Sequence, residues 1–444
     1  MSSRGVARTF AGWGRTTSSI SLSARARDED ELAELIRAAP ARGVSSRGLG
    51  RSYGDAAQNG GGLVIEPFRP DAEPVLTGDV VTVSAGASLG SLLETVVPRG
   101  LLPPVLPGTR QVSVGGAIAA DVHGKNHHVD GSLGRWVERI VLIDGLGERR
   151  EVTPAGDPDT FWATVGGMGL TGVVTEATLR LLPIETSYLR VRARRVRDFD
   201  ALLSAMRDSK PARYQVAWVD AFARGRSILE DGEPARRREL PDGVARHPLE
   251  CQPRTRIVAP SLAMSPLRPR VVRAFNAAWW RRADDGERVV PLSRFFHPLD
   301  GVGEWHRLYG RRGFLQYQIA VPDGAEQVLE RFVTTLPDAG LTPYLVVLKR
   351  FGPGDDGLLS FPRPGWTIAA DFPSGDPALA RALDEMDELT ASVGGRVYLA
   401  KDSRLRPDVL TRMYPELPRW QKIRAELDPL GRFQSDLDRR LSMR

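Results

Sequence analysis

Cysteine is almost missing from this chain: Cys251 is the single one among 444 residues. No intrachain disulfide and no cysteine-based zinc site can therefore form, and the redox compartment stays open. No stretch approaches the roughly 18 apolar residues of a membrane span, so no transmembrane helix is expected. Residues 1–11 carry Arg4 and Arg8 but no apolar core, which predicts no standard secretory signal. Excess charge is small, +6. It allows weak attraction to phosphate or anionic lipid but is no nucleic-acid signature. Paired carboxylates, a Ser/His/Asp order and an HExxH spacing do not stand out. His127 and His128 are adjacent and expected to diverge on a strand, so no metal site is expected. If the protein works at a membrane, it does so from the surface.

What is present reads as globular. Hydrophobic residues make up 41% and charged residues 26%, a soluble composition, and the length favours two or three domains. Gly 45 and Pro 33 without a collagen period point to many tight turns. In the first unit, about residues 28–183, Asp28 and Glu31 read as a capping box before an apolar face of Leu32, Leu35, Ile36 and Ala39. Ser88 reads as the cap of a helix carrying Leu89, Leu92, Leu93 and Val96. Strands are expected at 63–65, 81–85, 137–144 and 173–181. The second unit starts near Ser187. Its strands are expected at 215–219, 315–321, 344–349, 367–372 and 396–400, with helices at 327–336 and 379–389. Residues 222–289 are rich in Arg and Pro with poor periodicity and read as long loops holding an apolar-aromatic patch, 274–280. Strands grouped with helices, without strict alternation, argue an α+β fold.

Gly167, Gly169 and Gly172 form a literal G-x-G-x-x-G. A dinucleotide fingerprint follows a strand and opens a helix. Here the preceding segment reads as helix and the following one as strand, so a nicotinamide site is not expected. Two other clusters matter more. One comprises Ser46, Arg47, Gly48, Leu49, Gly50, Arg51, Ser52, Tyr53, Gly54, Asp55 and Ala56. The other runs from Gly108 through Ser113, Val114, Gly115 and Gly116 to Ala120, Asp121 and Val122. Consecutive small residues leave backbone N–H groups bare, and such nests can wrap a pyrophosphate; either cluster could equally be a structural turn. Their combination with His123-Gly124-Lys125-Asn126-His127-His128 is more specific.

The order of these blocks resembles flavoproteins of the vanillyl-alcohol-oxidase type, with the PCMH-type FAD fold. The resemblance covers nearly the whole chain. It includes Gly12-Trp13-Gly14-Arg15-Thr16, Gln58-Asn59-Gly60-Gly61-Gly62, Phe296-His297-Pro298-Leu299-Asp300, Gly313-Phe314-Leu315-Gln316-Tyr317-Gln318, Ala400-Lys401-Asp402-Ser403-Arg404 and Asp428-Pro429-Leu430. Within that group it is similar to the branch that oxidises the 2-hydroxyl of a polyprenylphosphoryl-β-D-ribose to the ketone, the first half of an epimerisation to the arabinose form.

The resemblance implies a two-domain α+β flavoprotein, with the FAD domain at 1–187 plus 396–444 and the substrate domain at 188–395. It places FAD on the two glycine clusters, with His123, Val174 and Tyr398 also touching it. Relatives that hold FAD covalently use a histidine where this chain has Arg51, so a non-covalent flavin is expected. Lys401 is expected as the base that takes the hydroxyl proton, because a desolvated lysine can drop its pKa into a useful range. His123 is the second candidate. Tyr53, Lys125, Tyr309, Gln316, Gln318, Lys349, Thr367 and Ala369 are implied as substrate-pocket residues. Thr367 stands where the family has asparagine. Ala369 stands where members that react with nitroaromatic inhibitors have cysteine. A separate NAD(P)H-dependent short-chain reductase is implied as the partner that completes the epimerisation. The expected location is cytoplasmic or peripheral at the plasma membrane, its periplasmic face included. The rival reading is a related oxidase of a soluble sugar, polyol or aminosugar. A non-enzymatic flavin-binding protein is a third, disfavoured by the presence of Lys401, His123 and Lys125.

Overall fold

The computed structural model describes residues 5–208, 212–250 and 257–444; Cys251 lies outside the described residues. The capping and periodicity signals of the first unit lead directly into its elements. Asp28 accepts the N–H of Glu31 at 2.8 Å and starts the helix Glu29–Arg37, which buries Leu32, Ala33 and Ile36. Ser88 does the same for Ser91 N–H at 2.8 Å and starts Leu89–Val96. The first helix packs beside a four-stranded mixed sheet ordered Val6–Ala11, Ser18–Ala24, Leu63–Ile65, Val44–Ser46. The second packs on an antiparallel sheet ordered Val75–Thr77, Val80–Ser84, Val173–Arg180, Val137–Ile143, Arg149–Val152.

The rest of the chain builds one eight-stranded antiparallel sheet. Its order is Gly286–Pro291, Tyr188–Val196, Arg226–Pro234, Tyr214–Asp220, Leu345–Phe351, Gly365–Pro373, Phe314–Val321, Arg396–Val397. Side chains alternate between its faces. One face sends Ala217, Val219, Leu229, Tyr317, Ile319, Val346, Leu348, Trp366, Ile368 and Phe372 into the main core, under the helices Phe199–Asp208, Glu326–Val333 and Pro377–Ser392. Each fully buried Leu, Ile or Phe there contributes about 1.5–3 kcal/mol. The opposite face carries Val216, Trp218, Gln316, Gln318, Val347, Lys349 and Ala369 toward the first unit. Of the last helices, Pro407–Met413 packs on Pro377–Ser392, while Leu417–Leu427 and Asp436–Leu441 fold back over the first unit. There Arg440 grips both oxygens of Asp55 at 2.8 Å, and Trp420 donates to Ala163 O at 2.9 Å.

Three sequence expectations need correction. Residues 222–289 are not mainly loop: they hold the strands Arg226–Pro234 and Gly286–Pro291 and the helix Pro269–Arg282. The strand pattern was hidden because cross-strand ion pairs, Arg194–Asp231 and Arg288–Glu230, put charges where apolar residues are sought. His127 and His128 lie in a short helix, His127–Asp130, rather than on a strand. They still diverge: His127 Nδ1 accepts Gly352 N–H and His128 Nε2 faces Ala212 O. The strand expected over 396–400 stops at Val397. Lys401 N–H turns back to Tyr398 O at 2.9 Å, and Ala400 O is taken by Tyr53 N–H at 2.9 Å, so the backbone leaves the ladder.

Candidate active site

A cleft of about 1220 Å³ runs between the first unit and the exposed face of the large sheet. Its wall on the first unit is built by the glycine clusters. Ser46 to Tyr53, Ala56, Gly108, Ser113, Gly115, Gly116, Ala120, Val122, His123, Val174 and Tyr398 all line it. Gly54, Asp55, Val114 and Asp121 do not. Gly54 sits where a Cβ would lie 1.9 Å from Asp402 O. Asp55 is the partner of Arg440, Val114 is core, and Asp121 is buried against Gly134 N–H and Ser360 Oγ. The rejected G-x-G-x-x-G follows the helix Pro158–Thr164 and precedes the strand Val173–Arg180.

The lining loop 48–52 has the properties of a cradle. Arg47 N–H is bonded to Ile65 O and Tyr53 N–H to Ala400 O, but among the described residues none of the N–H groups from Gly48 to Ser52 has an acceptor. A Cβ on Gly48 would lie 2.0 Å from Ser113 Oγ, so the two loops touch only because Gly48 is bare, while a Cβ on Gly108 would meet open space. These residues fit a pyrophosphate-bearing cofactor. Arg51 does not point free into the cleft: its Nε donates to Gln111 O at 3.0 Å, and its guanidinium lies 3.8 Å from the centre of the Trp13 ring.

The opposite wall is a ladder read rung by rung. Gln316, Asp371 and Leu345 share one rung, Gln318, Ala369 and Val347 the next, and Ala320, Thr367 and Lys349 the third. Gln316 Nε2 donates to Asp371 Oδ1 at 2.6 Å, while Asp371 Oδ2 is buried without a hydrogen-bond partner among the described residues. Gln318 Nε2 lies 3.0 Å from His123 Nε2 and 3.2 Å from Thr367 Oγ1. Thr367 in turn donates to Ile319 O at 2.8 Å and is fully buried, so it supports Gln318 rather than lining the cleft. Tyr309 is likewise behind the lining, stacked on Phe314 with centroids 4.2 Å apart. Lys125 donates to Phe295 O and covers the Phe295 ring at 4.0 Å.

Charge is arranged unevenly in this space. Burial lowers Lys401 to about 8, with Asp371 acting in the opposite sense. Burial, then Lys125 and Lys401, lowers Lys349 to about 7, and burial lowers Lys125 to about 8. His123 is driven well below its ordinary value by burial, then by Lys349, His127 and Lys401, which keeps its ring neutral. Burial raises Asp371 to about 7 against the pull of Gln316 and Lys401. Sequence reasoning missed Asp371. The one available signal was a lone carboxylate in an otherwise apolar strand, two residues beyond Ala369 and therefore on the same face.

Two loops with bare backbone N–H groups, faced across the cleft by lysines of lowered pKa, fit an FAD-dependent oxidoreductase site. An FAD binding domain profile matches residues 20–153, and a D-arabinono-1,4-lactone oxidase profile matches residues 370–441. The chain is 41% identical over 98% of its length to decaprenylphosphoryl-beta-D-ribose oxidase of Mycolicibacterium smegmatis, covering 98% of that protein. It is 39% identical, over 80% of its length and all of the relative, to an uncharacterised protein of Streptomyces coelicolor. Alditol oxidase of a Streptomyces species is 30% identical over 35% of this chain and 37% of its own. The chain belongs to the decaprenylphosphoryl-β-D-ribose oxidase family of FAD-dependent oxidoreductases. Among the described residues no helix is long and apolar enough to cross a membrane, and no group of three or more His, Cys, Asp or Glu could hold a metal ion.

Proposed function

We propose that the chain oxidises the 2-hydroxyl of a polyprenylphosphoryl-β-D-ribose to the 2-keto sugar. The observation that carries this reading is Lys401, held against Tyr53 at the cleft wall with a pKa lowered to about 8. Oxidation of a secondary alcohol removes a hydride from carbon and a proton from oxygen. FAD bound in this cleft would supply the hydride acceptor. In this reading the FAD-binding part is 1–187 plus 396–444 and the substrate part 188–395, with the pyrophosphate on loop 46–56 and Gly108 to Val122. Lys401 in its neutral form takes the hydroxyl proton at Nζ, Asp371 sets the charge around it, and Gln316 and Gln318 orient the sugar. Neutral His123, fixed by Gln318, closes the far side of the reacting centre.

An exposed apolar stripe at the cleft mouth suits the lipid part of the substrate. The helix Pro269–Arg282 exposes Val271, Phe275 and Trp279 at four-residue spacing, with Phe275 stacked on Trp279 and both at the cleft mouth. Arg270, Arg273, Arg281 and Arg282 surround that stripe, also exposed. We assign it to peripheral contact with an anionic membrane and the prenyl chain. A separate NAD(P)H-dependent short-chain reductase would consume the ketone. The test is anaerobic incubation of the purified protein with prenylphosphoryl-ribose, free pentoses and alditols while flavin absorbance is followed. Bleaching by the phosphoryl-ribose alone supports the proposal; bleaching by an alditol or free pentose alone replaces it with a soluble-substrate oxidase.

A further inference from the structure

The cleft holds more positive charge than the proposed chemistry needs. One lysine suffices as base, yet Lys125, Lys349 and Lys401 all line the space. Lys401 has Asp371 as its opposing charge. Lys125 has Glu230, but that carboxylate is already bonded to Arg288 Nη2 at 2.6 Å. Lys349 has none: the charged groups acting on it are Lys125 and Lys401, and among the described residues its ammonium has no acceptor. An ammonium carries three donors, and leaving them unpaired beside like charges is costly. The arrangement is stable when an anion enters.

We infer that Lys349, with Lys125 beside it, holds the phosphate of a sugar phosphate ester whose reacting carbon neighbours the phosphorylated one. The inference rests on the reaction proposed above and deepens it. Geometry sets the spacing. Lys349 stands on the rung of Thr367, and Asp371, which faces Lys401, stands two rungs away on the same face. Four residues of strand span about 13 Å, and Lys349 still feels the charge of Lys401 across the same cleft. The rung between carries Ala369, whose small side chain leaves the floor low there. A ring lying over Ala369 presents its hydroxyl to Lys401 and its anomeric phosphate to Lys349. Oxidation next to the phosphorylated carbon therefore requires base and anion subsite to be neighbours, as they are here.

The test uses the FAD-loaded protein and farnesyl phosphate, a prenyl monophosphate without sugar, with farnesol as its neutral counterpart. Binding is read from the perturbed flavin absorbance. We expect farnesyl phosphate to bind the wild type and Lys349→Met to weaken it about 10- to 100-fold, as for loss of a charged hydrogen bond. Farnesol affinity should be unchanged, and Lys349→Arg should recover most of the loss. Lys349→Gln serves as the second variant if the methionine variant folds poorly. Equal farnesyl phosphate affinity in variant and wild type, no binding to the wild type, or an equal loss for farnesol overturns the assignment. Loss of FAD from the variant also overturns it, since the lysine would then serve the cofactor. The reaction fails separately: if prenylphosphoryl-ribose leaves the flavin oxidised while farnesyl phosphate still discriminates the variants, the anion subsite stands and the oxidation does not.

Discussion

Lys401 Nζ lies 3.8 Å from the centre of the Tyr53 ring, and each residue belongs to a segment distant in sequence. The two are locked by backbone, since Tyr53 N–H donates to Ala400 O at 2.9 Å. The cofactor-side loop and the candidate base therefore move as one piece. A lysine placed over an aromatic face keeps its stem dry and its head directed.

The carboxyl behind this pair sets a pH dependence. Asp371 raises Lys401, and burial lowers it to about 8. The base is active when neutral, so the rate of substrate oxidation should rise with pH through about 8 and then level. Asp371→Asn removes the charge that holds the proton on Lys401. The rising limb should move to lower pH, while Gln316 keeps an acceptor at Oδ1. A pH–rate profile of flavin reduction decides it: an unmoved limb excludes Asp371 as a positioning residue for Lys401.

The flavin should be dissociable. The family resemblance implies Arg51 where covalent relatives carry a histidine, and its side chain is committed to Gln111 O and the Trp13 ring. Acid precipitation should leave the yellow colour in the supernatant. Colour that stays with the pellet contradicts the expectation.

Membrane contact should be electrostatic in part. The stripe Val271, Phe275 and Trp279 is ringed by exposed arginines. Co-sedimentation with anionic vesicles should fall as salt rises, and Phe275→Ser with Trp279→Ser should reduce it at every salt concentration. Salt-independent binding contradicts the role of the arginines.

Close backbone approach makes Gly54 a sensitive point. A Cβ there would lie 1.9 Å from Asp402 O, a backbone atom that cannot move aside as a side chain can. Gly54→Ala should lower the melting temperature and FAD content together. A variant with unchanged thermal unfolding shows that the 402–403 turn yields freely.

The sequence was most legible where one local signal decides an element. Asp28 and Ser88 mark helix starts that their hydrogen bonds confirm, and the alternation in Val173–Arg180 places a strand. It was least legible where the deciding contact is long-range. Arg194–Asp231 joins neighbouring strands and Arg288–Glu230 reaches across the strand between its own two, so neither is visible before the sheet is assembled. The cleft joins positions as far apart as Tyr53 and Lys401, which family resemblance could pair and periodicity could not. Asp371 escaped because its one local signal, a lone carboxylate in an apolar strand, does not by itself separate a buried functional group from a strand-end one. Thr367 and Tyr309 were expected in the pocket, but they pack behind its lining, Thr367 against Gln318 and Tyr309 against the buried Phe314.

The central claim is that Lys401 takes the proton as the sugar is oxidised. It is tested most directly by the rate of anaerobic flavin bleaching with prenylphosphoryl-ribose in wild type and Lys401→Met, with the flavin spectrum as the control for folding. Methionine keeps most of the stem and its packing, so FAD should remain bound. The account predicts a loss of about 10²–10⁴-fold in rate. Bleaching at close to the wild-type rate would contradict it and leave His123 as the candidate base.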